Sequence, residues 1–238
     1  MPRWPYRLVR GVFALLVVTG LTSAVLRSIA VGDLFARMDR VRAPMMDALG
    51  VTEPAPDRRA VFVARADRKF AAHRTATLLH ILTGAGFLAL VPLQLMRRVR
   101  TRAPRVHRVV GRVAIILAAA SGLTGLFFGL KQPLGGTAEQ VIVSAAGLFF
   151  LGALGLACLH IRARRVAEHR EWMLRAIAAA LGIASIRIVS LPLDVTLAPR
   201  GVDPRVIFAL ALWIGWGVTL AVAEWWIRTT RQRPAAAT

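Results

Sequence analysis

One cysteine, Cys158, and one tyrosine are all that 238 residues contain of those two types. The lone cysteine excludes an internal disulfide and any multi-cysteine metal site, which leaves it a packing role. Acidic residues are scarce as well, with 12 Asp and Glu against 32 Lys and Arg, a net charge of +20. The short signatures of soluble enzymes are missing: no phosphate-cradling glycine loop, dinucleotide fingerprint, nucleophile elbow or His-Glu-x-x-His helix occurs. No connection between apolar runs is large enough to form a soluble catalytic domain. Any chemistry is therefore expected within the bilayer.

What the chain has in excess is apolar side chain, 56% of its residues, more than a soluble domain of this size needs for its interior. Spanning a hydrocarbon core takes roughly 20 apolar residues. Such runs lie at residues 9–31, 75–96, 109–130, 138–161, 174–194 and 205–227. The expected fold is all-α, a polytopic membrane bundle of six transmembrane helices. Short connections make helices two to five antiparallel neighbours, so these four are expected to form the core with helices one and six beside it. Gly84, Gly86, Gly122, Gly125, Gly129, Gly147, Gly152 and Gly155 fall in that group, where small residues let membrane helices approach closely.

The positive charge raises nucleic acid as a partner, but the arginines sit between apolar runs instead of along one face, so none is expected. Their placement reads as topology. Arg97, Arg98, Arg100, Arg102, Arg105 and Arg108 join helices two and three without one acidic residue, which puts that connection on the cytoplasmic side together with both termini. The implied location is a bacterial cytoplasmic membrane, with the bilayer itself and anionic lipids at the inner face as partners; a membrane-protein partner or a homo-oligomer is also compatible. Residues 1–31 read as a signal anchor, with a cleaved signal peptide as the alternative. Residues 32–74 form an exterior loop whose basic residues are largely offset by Asp33, Asp39, Asp47, Glu53, Asp57 and Asp67. Within it, residues 34–51 are amphipathic, Pro54 and Pro56 mark a break at 53–57, and residues 60–74 form a helix running into helix two. Residues 75–195 are the membrane core, and 196–238 the last helix and a basic tail.

Polar residues at membrane depth are the candidates for function. His80 lies inside helix two and must face the bundle interior, with satisfied packing and a functional role equally compatible; His73, nearer the outer mouth, reads as exposed. His107, His160 and His169 map to the cytoplasmic ends of helices three, four and five. Two imidazoles from different helices can hold a heme iron, so these three are the candidate metal ligands, with nearby arginines available to pair with propionates. Gly111, one turn from His107, leaves that face without a side chain against a ligand, and Arg108 and Arg112 form a stripe beside it. The alternative is contact with lipid phosphates. Arg187 is the second deep polar residue and needs an internal partner, for which Asp194, Glu139 and Asp33 are available. A static ion pair is one outcome; a site shared with His80 for an anionic or quinone-like ligand is the other. Glu224, beside Trp225 and Trp226, reads as interfacial.

The string His80-Ile-Leu-Thr-Gly84, then Pro92-Leu-Gln94, Pro104-Arg-Val-His107-Arg108-Val-Val-Gly111-Arg112 and Gly122-Leu-Thr-Gly125 resembles a bacterial membrane family, domain of unknown function 2306 (DUF2306). The later string Glu168-His169-Arg170-Glu-Trp172-Met173-Leu-Arg175, with Ala178 to Ala180 and Arg187, resembles that family's second signature. The resemblance covers residues 75–195. It implies a multipass membrane protein with signature residues His80, His107, Arg108, Gly111, Arg112, His169, Arg170, Trp172, Met173 and Arg187, and it implies no activity. Weaker likeness to proteins of heme-copper oxidase assembly and to diheme cytochromes b is limited by the one-sided histidine placement, which disfavours two hemes. Cofactor-binding candidates are thus His80, His107, Arg108, Arg112, His160, His169, Arg170, Arg175 and Arg187. The leading expectation is redox or respiratory-chain work through heme b or a quinone; the alternative is a non-enzymatic scaffold, assembly factor or small-solute permease.

Overall fold

A computed structural model describes residues 4–51, 56–131 and 133–231. Its helices are α1 (Trp4–Ile29), α2 (Leu34–Ala48), α3 (Pro56–Ala72), α4 (Arg74–Leu95), α5 (Arg97–Arg102), α6 (Pro104–Lys131), α7 (Gly136–Arg162), α8 (Val166–Leu197) and α9 (Pro204–Thr230), with a 3-10 turn at Ala198–Arg200. No strand occurs among the described residues. Six helices, α1, α4, α6, α7, α8 and α9, are long and apolar enough to cross a membrane, matching the six runs read from the sequence. The α-helix is the natural solution there, since it satisfies every backbone donor and acceptor within its own segment. Helix α8 is longer than its apolar run because the string from Glu168 to Arg175 is helical too. At the helical rise its 32 residues extend about 48 Å, beyond a hydrocarbon core of about 30 Å.

Helices α4, α6, α7 and α8 pack in chain order, as short antiparallel connections require. Helix α1 lies against α4 and α8, and α9 lies mainly against α8. The main apolar core therefore takes residues from five helices: Leu16 and Val17 of α1, Phe87 and Val91 of α4, Ala114 and Ala118 of α6, Phe150 and Leu154 of α7, and Ala176, Leu181 and Ala184 of α8. The α8–α9 contact is the most extensive helix pair. Alanine and glycine on α8 make it possible: Gly182 has no Cβ where the Trp216 ring sits, and the Trp216 indole donates to Ala179 O at 2.7 Å. Not every glycine serves packing as expected, since Gly152 and Gly155 face open space.

Helices α2 and α3 cover one end of the bundle. Phe35, Phe62, Phe70 and Leu134 form an apolar plug that reaches Phe208 on α9, and Met46 packs on Ala198 and Ile207. The amphipathic stretch read at 34–51 is thus a helix seated on protein. Helix α3 stops at Ala72 and α4 starts at Arg74, so the run into the second membrane helix is interrupted only at His73, whose ring meets Phe127 edge-on at 5.4 Å. Glu53 and Pro54 of the expected break, and Arg233 of the tail, lie outside the described residues. We call the α2–α3 end the capped end, and the end carrying α5 and the α7–α8 turn the basic end.

Candidate functional site

At the basic end, most of the polar residues singled out from the sequence tie helices together. Gln94 of α4, in the amide orientation that satisfies its surroundings, donates from Nε2 to His107 Nδ1 at 2.8 Å and to His107 O at 3.3 Å, and its Oε1 accepts from Gly111 N at 3.2 Å. The space expected at Gly111 for a flat ligand is therefore filled by the Gln94 side chain. His169 Nδ1 lies 2.9 Å from Ala157 O on α7; a carbonyl only accepts, so this nitrogen carries the proton and Nε2 keeps its lone pair. Arg175 forms a two-pronged pair with Glu224 of α9 at 2.8 and 3.1 Å and stacks over Trp172 at 4.7 Å. Glu171 binds Arg231 at 2.8 Å through both oxygens, and Arg170 donates to Thr230 at 2.6 Å. Glu171 makes the Arg231 guanidinium a still weaker acid than usual. Glu224 is accordingly an interhelical partner and not merely an interfacial residue.

The capped end has a different character, because its ion pairs to the bundle are buried. Asp194, near the end of α8, is held by Arg42 of α2 at 3.3 Å and Arg59 of α3 at 3.4 Å, and Arg59 also reaches Asp39 at 3.0 Å. Lys69 stands 3.9 Å from Glu139, whose other oxygen accepts from Leu134 N and Gly135 N. Burial pulls Lys69 below the ordinary lysine range, and Glu139 offsets this only in part. Asp67 accepts from Phe35 N and Ala36 N, both at 2.9 Å, at the start of α2. Asp33 pairs with Arg37. All three carboxylates expected to answer Arg187 are thus engaged elsewhere, because α2, α3 and the α6–α7 turn bring their own donors to this end.

Arg187 is left with one hydrogen bond, from Nη1 to Ile183 O of its own helix at 3.3 Å, and its buried Nε has no acceptor. Arg27, in the last turn of α1, shares that condition. Its Nε is buried without an acceptor, and its guanidinium lies over Phe35 and Phe70 at 5.6 and 5.8 Å. Arg27 is within Coulombic reach of Arg187, of Asp67 and of His80. His80 Nδ1 lies 2.9 Å from Ser121 O and 3.2 Å from Thr124 Oγ1 on α6, which fixes its proton on Nδ1 and leaves Nε2 as an acceptor when neutral. Gly125 and Gly84 permit this approach: a Cβ would stand 3.2 Å from His80 Cε1 at the first and 2.9 Å from Ser121 Oγ at the second.

With this arrangement in view, the comparison with known families is decisive. The family model described as Predicted membrane protein (DUF2306) matches residues 77–227. The chain belongs to the DUF2306 family. No curated protein and no solved structure matches it. The DUF2306 match extends beyond the resemblance read at 75–195 and takes in α9, which is consistent with the α8–α9 pair being part of the membrane fold and not an appendage.

Within the DUF2306 region, the structure assembles two groups from the candidate residues and leaves others apart. His107 and His169 are within Coulombic reach of each other at the basic end. His160 contributes there only its backbone carbonyl, to Arg165 N at 2.8 Å, and among the described residues no three His, Cys, Asp or Glu side chains converge on a metal position. Heme ligation by two histidines needs both Nε2 lone pairs. His169 fits that requirement; His107 does not, since Nδ1 accepts from Gln94 and Nε2 then carries the proton. Arg108 and Arg112 are exposed. His80 and Arg187 lie instead toward the capped end, each within Coulombic reach of Arg27. Arg27 escaped the sequence reading because it was taken as the flank of an apolar run; the available signal was that no acidic residue lies near it in α1.

Proposed function

We propose that the protein binds an anionic ligand inside the bilayer, at the site formed by Arg27, His80 and Arg187. The observation that carries this reading is Arg187, a half-buried arginine without a carboxylate among the described residues, whose Nε is buried and has no acceptor. A charge at membrane depth is costly, by about 3 kcal/mol at a helix centre, unless something pairs with it. The ion pairs of the capped end, Arg42 and Arg59 with Asp39 and Asp194 and Lys69 with Glu139, include neither Arg27 nor Arg187, which suits an anionic ligand there. By the distribution of arginines, this site is in the outer half of a bacterial cytoplasmic membrane with both termini inside. The basic end then faces the anionic inner leaflet.

The test compares wild type with Arg187→Leu in two states. An unpaired buried charge destabilises, so in delipidated, low-salt detergent the leucine variant is expected to melt higher than wild type. In native membranes, where the ligand neutralises Arg187, that advantage should vanish or reverse. A leucine variant that melts lower in the delipidated state means Arg187 has a protein partner, and the reading fails. A quinone is a second, separate reading: its oxygens accept from the same donors but bring no charge, and His80 Nε2 supports it as an acceptor for a quinol hydroxyl. Chromatography of co-purified lipids tests for a quinone, and a Soret band shifted by dithionite tests for heme b at the basic end.

A further inference from the structure

The ligand's route is legible in which sides of the site are closed. Toward the aqueous end, the Phe35–Phe62–Phe70 plug stacks on itself, with Phe35 and Phe70 parallel at 5.8 Å, and continues to Phe128 at 5.5 Å from Phe70. Asp67 pins the start of α2 to α3 through two backbone N–H groups. Asp194 ties the far ends of both helices down to α8. A water-borne anion entering from that end must displace an apolar plug and break a buried ion pair.

The side facing the hydrocarbon is different. Helix α1 is the least embedded of the six spanning helices, and the residues around Arg27, namely Val25, Leu26 and Ile29, are 60%, 54% and 76% exposed. Around Arg187 on α8, Ile183 and Ile188 also face outward. Each arginine is thus half-buried, its Nε turned inside without an acceptor, while its neighbours along the helix form an apolar outer surface. A ligand matching both features has a small oxyanion head and a hydrocarbon tail. Guanidinium forks bind phosphate and carboxylate oxygens through paired charge-assisted hydrogen bonds, and apolar surface facing lipid is where an acyl chain lies at no cost in exposure.

We infer that the anion held by Arg27 and Arg187 is the head group of a membrane amphiphile, a lipid phosphodiester or a fatty carboxylate, admitted sideways from the bilayer past α1. This rests on the anion-site reading above and adds the ligand's class and source.

Delipidated protein in mild detergent is titrated with phosphatidylglycerol, oleate, inorganic phosphate and acetate, read by thermal midpoint and by adducts retained in native mass spectrometry. Phosphatidylglycerol or oleate is expected to raise the midpoint and saturate at one molecule per chain. Arg187→Gln and Arg27→Gln should each weaken this by about tenfold or more, the loss of a charge-assisted hydrogen bond. Arg98→Gln at the basic end should leave it unchanged. Stabilisation by phosphate or acetate to the same ceiling, abolished by Arg187→Gln, overturns the lipid source while the anion site stands. No response of folded wild-type protein to any of the four overturns both. Should Arg187→Gln fail to fold, Arg187→Lys serves: it keeps the charge and loses the fork, so undiminished binding by that variant refutes two-pronged recognition.

Discussion

Placing a methyl group at Gly182 tests the α8–α9 contact, the most extensive helix pair of the fold. A Cβ there would stand 2.5 Å from Trp216 Nε1 and 2.7 Å from Cγ, and nearer still to Cδ1. These are far inside van der Waals contact, and the obstacle is a rigid ring only 8% exposed. Either α9 retreats or the indole turns away and gives up its 2.7 Å bond to Ala179 O. Overpacking of this kind costs about 1–3 kcal/mol. Losing the indole bond adds about 1 kcal/mol, the scale of interhelical hydrogen bonds in bilayers. Replacing Gly by Ala inside a helix returns up to about 1 kcal/mol. The net expectation for Gly182→Ala is a loss of about 1–3 kcal/mol, measured by denaturation in mixed micelles of mild detergent and dodecyl sulfate. The effect should depend on the ring: in a Trp216→Ala background, Gly182→Ala is expected to be neutral or stabilising, giving a coupling of similar size. A neutral Gly182→Ala in the wild-type background, or equal cost in both backgrounds, refutes the packing described.

Three further outcomes follow from the ion pairs. Asp194→Asn leaves Arg42 and Arg59 without their shared carboxylate at α8, so the α2–α3 cap should loosen; trypsin cleavage within residues 34–72 is expected to quicken, and an unchanged rate argues against the latch. Glu224→Gln breaks a pair whose side chains are 17% and 36% exposed, and solvent screening holds the cost to about 1 kcal/mol or less; a double-mutant cycle with Arg175→Gln measures it, and a coupling several times larger would mean the pair is effectively buried. For Lys69 the folded state holds its proton less firmly than the unfolded chain, whose lysine titrates near 10.5. Between those two pKa values the unfolded state binds more protons, so stability rises with pH across that window and is constant below it. The melting temperature of wild type relative to Lys69→Met should therefore climb from neutral toward alkaline pH, and a flat difference contradicts the burial of a charged lysine.

The six spans were legible because a hydrocarbon solvent imposes a length and a composition that no single residue can mask. Trp172 and Arg175 were visible as a dense polar and aromatic string, but not the partner on α9, since Glu224 reaches Arg175 only when α8 and α9 align. Gln94 shows the same gap: uncharged and in the last turn of α4, it stood in the family string without a role, yet it bonds to His107 Nδ1 and fills the face at Gly111. The amphipathic stretch at 34–51 and the helix at 60–74 were legible, but not that they cap the bundle, because amphipathicity says that one face is buried and not what buries it. Asp194, two turns from Arg187, was offered as its partner, and distance along a helix could not reveal that Arg42 and Arg59 reach it first from α2 and α3.

That last point separates two kinds of polar residue in this bundle. His80, His107, His169, Arg170 and Arg175 each bond to a neighbouring helix, and a purely structural role accounts for their hydrogen bonds. Such a bond is worth roughly 1 kcal/mol in a bilayer, enough to fix the register of two helices. Arg187 and Arg27 cannot be explained in the same way. Leucine at either position would remove a half-buried charge and a buried unsatisfied nitrogen at once, and would pack against the same apolar neighbours. Stability alone therefore disfavours arginine at both sites, and disfavours it more because the two cations repel each other. A ligand that supplies the missing negative charge reverses that balance, which is why these two arginines, and not the histidines that first drew notice, define where to look for it.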